Sequence, residues 1–224
     1  MKLYYHPIST TCRPILFFAA DSGIDLELQV VDLMTGEHLK ESYSQINPSR
    51  LVPVLEDGDF RLTESSSILK YLADKIGSPA YPKDLKKRAR VNETMDWFNT
   101  GFYRDFGYGL IYPQILPSLR RPTDEQQAGT IQWGKNGSRK WLQVLDQSLI
   151  GAKNSYVCGG EITIADYFGA PMVTLGETIG CDFSKYPNIA RWLNGIKARP
   201  NWSKVNEAFN GMVGALKDKT FETI

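Results

Sequence analysis

The chain has 224 residues, with 26 Lys and Arg against 25 Asp and Glu, a formal net charge of +1. Hydrophobic residues make up 42% and charged residues 23%; this balance excludes disorder over most of the length, and the near-neutral charge argues against nucleic acid as a main partner. Three scattered cysteines and two histidines do not build a disulfide framework, a zinc cluster or a histidine-centred triad, so no metal is expected. No apolar run approaches the roughly 18 residues of a membrane span. Met1–Pro14 lacks the apolar stretch of a signal peptide, so a cytoplasmic protein with no membrane partner is expected.

The first eighty residues alternate strand and helix. Lys2–Tyr5 is a short strand. Cys12–Ser22 is an apolar helix, with Pro14 in its first turn and Gly23 as its stop. Leu26, Leu28 and Val30 alternate with polar residues, as in a half-buried strand. Glu37–Tyr43 is a weak helix. Val54–Glu56 and Arg61–Thr63 flank Asp57-Gly58, a hairpin signal. Ser65–Ile76 is a helix with Ile68, Leu69 and Leu72 inward. The order is βαβ, a helical crossing, then ββα, and the crossover predicts parallel pairing of the first two strands.

Residues 78–84, within a stretch holding Pro79 and Pro82 after Gly77, read as a linker between domains 1–77 and 85–224. Beyond it the pattern is helical throughout. Leu85 to about Ile111 is one long helix ended by Tyr112-Pro113, and Asp124 to about Leu149 is another. Thr163-Ile-Ala-Asp166 is a capping-box pattern that starts a buried helix, bent at Pro171. Pro187–Ala198 and Trp202–Leu216 complete the set. The basic stretch Lys83–Arg90 reads as the solvated start of a helix. The fold class is α/β followed by all-α.

Ser9-Thr10-Thr11-Cys12 lies between a strand and a helix N-terminus. A redox C-x-x-C pair would sit there, its first sulfur activated by the helix dipole. Here the first position is serine, which cannot exchange disulfides. A serine hydroxyl at that point either caps the first helix or donates a hydrogen bond to a ligand thiolate, and the segment alone leaves both open. Val52-Pro53 leads into a strand, where exposed backbone can pair with an extended peptide. Glu64-Ser65-Ser66-Ser67 opens a helix: free N–H groups suit a carboxylate, and Glu64 suits an ammonium. Together these three segments describe a ligand with an amino-acid head, a peptide body and a thiol, which is the chemistry of glutathione.

The residues from Tyr4 to Pro14, Ile46-Asn-Pro-Ser-Arg-Leu-Val-Pro-Val-Leu55, Leu62-Thr-Glu-Ser65 and Ile162-Thr-Ile-Ala-Asp166 resemble the glutathione S-transferase family, closest to its theta and delta classes. The resemblance covers the whole chain. It implies a thioredoxin-like N-terminal domain, an all-helical C-terminal domain and glutathione as co-substrate. It implies Ser9 as the thiol-activating hydroxyl and Val52 as the backbone pairing with the cysteinyl part, held by a cis Pro53. Glu64 and Ser65 would bind the γ-glutamyl end, with Ser66 adding a hydroxyl, and His38 and Arg50 would lie at the glycine carboxylate. Delta enzymes often carry histidine at the Arg50 position and arginine at the Ser66 position, so the polar network departs from theirs. A homodimer is also implied, a role for which the aromatic residues Trp97, Phe98 and Phe102 offer a motive. Cys12 is expected to be packed, not nucleophilic.

The second substrate, a small electrophile, is less specified. At helical spacing Tyr103, Phe106 and Leu110 share one face, which either lines an electrophile pocket or packs in the bundle core. Arg104 is either a cation for an anionic leaving group or half of a surface ion pair. The leading activity is conjugation of glutathione to an electrophilic carbon. Dehalogenation of small haloalkanes, a non-enzymatic module and a disulfide reductase are the alternatives; retention of Ser9 argues against the last two.

Overall fold

The computed structural model describes residues 1–224. Four short strands, β1 (Lys2–Tyr5), β2 (Glu27–Val30), β3 (Val54–Asp57) and β4 (Phe60–Leu62), form one mixed sheet in the order β2-β1-β3-β4. Helix α1 (Arg13–Ser22) crosses from β1 to β2, so those strands pair in parallel, from Lys2 opposite Glu27 to Tyr5 opposite Val30. β1 runs antiparallel to β3, with Leu3 opposite Leu55, and β3 to β4 across Asp57-Gly58, where Gly58 has φ +64°. Between β2 and β3 the expected weak helix is two separate turns, a 3₁₀ turn at Glu37–Leu39 and α2 (Glu41–Ser44), because Lys40 is extended. Helix α3 (Ser65–Lys75) closes this thioredoxin-like layer.

The remaining chain is helical. Helix α4 (Leu85–Asp96) does not continue as a regular α-helix to Ile111. It passes into π-helical segments at Trp97–Phe102 and Arg104–Ile111, and the run carries on through α5 (Tyr112–Ile115). Pro113 therefore does not end it; it sits in the first turn of α5, where a missing N–H is tolerated. Helix α6 (Asp124–Val144) likewise ends in a π-helical stretch, Leu145–Ile150. Gly134 of α6 meets Gly109 of the π segment so closely that a Cβ on Gly134 would lie 2.3 Å from the Gly109 carbonyl carbon. Only glycine permits that approach, and it fixes the height of the π segment against α6.

Helix α7 (Ile164–Thr174) is buried along its whole length. Its capping box is present: Asp166 accepts from the Thr163 N–H at 2.8 Å. Asp166 also accepts from the Val157 N–H and the Trp192 indole, at 2.9 and 3.0 Å. Helices α8 (Pro187–Lys197), α9 (Trp202–Val205) and α10 (Glu207–Leu216) follow. The sequence pattern predicts a single helix over the last two. They separate at Asn206, whose side chain donates to the Trp202 carbonyl and accepts from Arg13 at 2.8 Å.

Arg13 ties the two halves together. It leaves α1, is wholly buried, donates to the Pro171 carbonyl at 2.7 Å and to Thr174 at 3.4 Å, and lies 3.7 Å over the Phe209 ring. No carboxylate pairs with it; burial brings its pKa down to about 10, so it stays charged at neutral pH. One continuous apolar core runs from Leu3, Phe17 and Leu72 to Phe98, Phe168 and Trp192. Phe98 and Phe102 belong to that core, with Trp97 packed against it through ring contacts to Phe98, Phe102 and Trp141. These aromatics are spent inside the subunit and give no motive for a dimer.

Candidate active site

A cavity of about 730 Å³ lies between the sheet layer and the helical half. Its first wall is built from the loops that leave or enter the sheet. After β1 the chain turns at Ser9, whose carbonyl accepts from the N–H groups of Cys12 and Arg13 at 3.1 and 3.0 Å. Helix α1 thus begins four residues beyond Ser9, with Cys12 at its N-cap position and no side-chain cap. Ser9 Oγ accepts from the Cys12 N–H at 3.3 Å and lies 3.1 Å from Thr11 Oγ1. Thr11 Oγ1 donates to the Val52 carbonyl at 3.2 Å. Cys12 is fully buried and burial pushes its thiol up to about 11, so it stays protonated and inert.

The second loop is held from behind. Tyr43 and Asn47 both donate to the Leu51 carbonyl at 2.8 Å, and the Val52–Pro53 bond that follows is cis. Val52, Pro53 and Arg50 line the cavity, as does His38, whose Nδ1 has no partner within the protein. Arg50 adopts φ +56° and lies 3.9 Å from Glu41. The third element is the start of α3. Glu64 at φ +64° is exposed, and Ser65 is buried at the first helical position; both line the cavity. The first-turn N–H groups of a helix have no intrahelical acceptor and favour an anion. Ser66 is not in the lining. One residue further along α3 it is turned about 100° from Ser65.

The opposite wall is aromatic and differs from the spacing argument. Tyr103 and Arg104 line the cavity, but Phe106 does not. Phe106 is fully buried, its ring 4.8 Å from that of Phe102 and so close to Gly176 that a Cβ there would come within 2.7 Å of it. Leu110 is core as well. The π-helical backbone after Tyr103 shifts the register: with i to i+5 bonding the residue five positions on, not the one three positions on, returns to the cavity face. Tyr108 and Tyr112, five and nine residues after Tyr103, come to the cavity instead.

Those tyrosines form a connected group. The Tyr103 and Tyr112 hydroxyls are 2.5 Å apart, and Tyr112 donates to Thr10 Oγ1 at 2.9 Å. Tyr108 stands edge-on to both rings, at 5.3 and 5.1 Å. Burial raises Tyr112 to about 12 and Tyr103 well above the usual phenol range, so both stay protonated at neutral pH. Arg104 is exposed at the cavity edge, with its Nε donating to Asp105 at 2.7 Å and its guanidinium 5.6 Å from the Trp133 ring. Its charge is largely answered by Asp105, so it forms the surface ion pair of the two readings while still facing the cavity. The lining also takes in Thr10 and Thr11 beside Ser9, and two tyrosines to which the sequence gives no role, Tyr108 and Tyr112. Only the recurrence of tyrosine at 103, 108 and 112 hinted at the last two.

This geometry can hold an extended peptide along Val52, an amino-acid head at Glu64 and Ser65, and a sulfur near Ser9, facing an aromatic chamber. Family models for the glutathione S-transferase N-terminal and C-terminal domains match residues 3–80 and 111–200. The chain is similar to human glutathione S-transferase theta-1, at 34% identity over 225 residues, covering 99% of this chain and 91% of that protein. Among solved structures it is similar to a delta-class glutathione transferase from Nilaparvata lugens, at 35% identity and a TM-score of 0.80, covering 96% of this chain and 99% of that one. It also matches human glutathione transferase theta-2 in complex with glutathione, at 28% identity and a TM-score of 0.85, covering 100% and 93% of the two chains.

Proposed function

The chain belongs to the glutathione S-transferase family, and from that membership we propose how its cavity divides the work of conjugation. As a transferase it joins the glutathione thiolate to an electrophilic carbon. Ser9 donates its hydroxyl hydrogen to the sulfur. The Val52 backbone pairs with the cysteinyl residue. Glu64 accepts from the γ-glutamyl ammonium, and Ser65 with the first-turn N–H groups of α3 receives its carboxylate. His38 and Arg50 face the glycine carboxylate. Tyr103, Tyr108 and Tyr112, with Arg104 at the rim, bound the electrophile. The observation that carries this reading is that Ser9, Val52 and the Glu64-Ser65 helix start line one cavity.

The chemistry follows from charge. A free thiol with a pKa of about 8.5 is mostly protonated at neutral pH, and the thiolate is the nucleophile. A hydroxyl donor together with the positive end of α1 favours the charged sulfur. A shift of about 2 units requires ~2.7 kcal/mol, most of which one charge-assisted hydrogen bond of about 1.5–3 kcal/mol supplies. The thiol proton leaves to water, the sulfur forms the new bond to carbon, and the leaving group departs with its bonding electrons.

The protein is a homodimer, a reading supported by apolar side chains left exposed on β4, at the end of α3 and on α4: Phe60, Ile76 and Leu85 are 45%, 46% and 80% exposed. It works in a reducing compartment, which suits three free cysteines; no helix is long and apolar enough to cross a membrane. Calorimetric titration with glutathione, then a panel of electrophiles with halide release followed in parallel, tests the function. Saturable binding and conjugate formation are expected. Binding without turnover of any electrophile would instead favour a non-enzymatic module, and turnover confined to haloalkanes a dehalogenase.

A further inference from the structure

Ser9, Thr11 and the Val52 carbonyl form a directed chain. Thr11 has one hydroxyl hydrogen, and it is committed to Val52. The hydrogen between Ser9 Oγ and Thr11 Oγ1, 3.1 Å apart, is therefore Ser9's own. Ser9 Oγ in turn accepts from the Cys12 N–H. In this order Ser9 serves Thr11. To serve a sulfur in the cavity, Ser9 must turn its hydrogen away from Thr11.

Both hydroxyl contacts are easily surrendered. At 3.1 and 3.2 Å they are longer than the usual O–H···O separation of about 2.7–2.8 Å. The carbonyl they end on is the same group that the glutathione reading gives to a peptide N–H. Thr10, the other threonine beside Ser9, is engaged elsewhere: it is buried and its oxygen accepts from Tyr112.

We propose that Thr11 is a positioning residue that couples docking of a peptide backbone on Val52 to the direction of the Ser9 hydroxyl. The proposal rests on the glutathione reading. A peptide N–H laid on the Val52 carbonyl displaces the Thr11 hydrogen, which turns to Ser9 Oγ, its neighbour in the chain. Ser9 then accepts from both Cys12 and Thr11 and points its own hydrogen at the cysteinyl sulfur. Hydrogen bonds in series polarise one another, so a hydroxyl that accepts two bonds is a better donor. Each hydroxyl keeps its hydrogen and only turns. The consequence is that the sulfur is activated only when the peptide body of the ligand is seated, so a small thiol lacking that body gains less from Ser9.

The test uses the full chain with Thr11→Val, which keeps the shape, and Thr11→Ser, which keeps the hydroxyl. Glutathione affinity is measured by calorimetry, the bound thiolate by its ultraviolet absorbance against pH, and folding by thermal unfolding. In Thr11→Val the midpoint for bound thiolate should rise by about 0.5–1 unit and the rate at neutral pH fall about 3–10-fold, with affinity within about threefold. Thr11→Ser should restore the wild-type midpoint. A midpoint in Thr11→Val that is unmoved, or lower, overturns the proposal even if the rate falls. Should Thr11→Val not fold, Thr11→Ala carries the same expectation and the same refutation. Failure of the unmodified protein to bind glutathione overturns the functional reading, and the Thr11 assignment with it, and is recognised because it precedes any variant.

Discussion

Tyr112 Oη donates to Thr10 Oγ1 across 2.9 Å, linking the helical half of the molecule to the turn that carries Ser9. Because the one hydrogen of Tyr112 is used there, the contact of 2.5 Å between Tyr103 and Tyr112 must be donated by Tyr103. Tyr112→Phe removes the first bond and strands the buried Tyr103 hydroxyl. A loss of about 1–3 kcal/mol is expected, lowering Tm by several degrees in a chain of this size. The double variant Tyr103→Phe with Tyr112→Phe should be no less stable than Tyr112→Phe alone, because no unpartnered phenol remains. Strict additivity in denaturant unfolding of the set would refute the chain.

Ser9→Ala should leave glutathione affinity within several-fold of wild type. It should cut the conjugation rate at neutral pH by roughly 10–100-fold, at about 1.4 kcal/mol per tenfold. The sign for pH is fixed by the chemistry: without the donor the bound thiol ionises later, so the rate curve moves to higher pH. Full activity with an unshifted profile would remove Ser9 from the mechanism.

Glu64 and Ser65 act at the amino-acid head, remote from the sulfur. Glu64→Gln keeps size and backbone but removes the charge that meets an ammonium. It and Ser65→Ala should raise KM for glutathione by about tenfold or more while leaving KM for the electrophile unchanged. Steady-state kinetics with each substrate varied in turn decides this. An effect confined to kcat would show that these residues serve the reacting centre instead.

Asp166 gathers the N–H groups of Val157 and Thr163 and the Trp192 indole in the core of the helical half. Asp166→Ala leaves all three unpartnered and should cost about 3–5 kcal/mol in urea unfolding, with Asp166→Asn in between. Burial raises this carboxyl to about 6. Between roughly pH 4 and 6 the folded protein therefore keeps a proton that the unfolded chain releases, so the contribution of Asp166 to stability falls as pH rises through that window. A stability–pH slope in that range unchanged by Asp166→Ala would contradict the assignment.

The sheet order and the glutathione-facing wall were legible because each rests on a local signal. Alternation and Asp57-Gly58 mark strands and hairpin, and Ser9, Val52-Pro53 and Glu64-Ser65 mark three loops that the fold brings together. The aromatic wall was not legible. A π turn has no propensity signature, so helical spacing leaves Phe106 open between cavity lining and core and gives no role to Tyr108 and Tyr112. Asn206 was hidden for a different reason. It interrupts a helix to reach Arg13, 193 positions away in the chain, and no window of sequence contains both.

The π-helical segment Arg104–Ile111 also bears on how this chain can vary in length. Insertions and deletions usually fall in loops, since loops absorb them without disturbing packing. A π turn carries a surplus residue inside a helix, and losing it returns the segment to ordinary helical winding while the turns before and after keep their phase. The active-site wall is thus open to a change in chain length where a helix is normally closed to one. Deleting the half-exposed Tyr108 should give a folded protein by circular dichroism whose electrophile preference, not its glutathione affinity, has moved. An alignment of relatives that differ in this way would show its gap in mid-helix, at the chamber rather than in a surface loop.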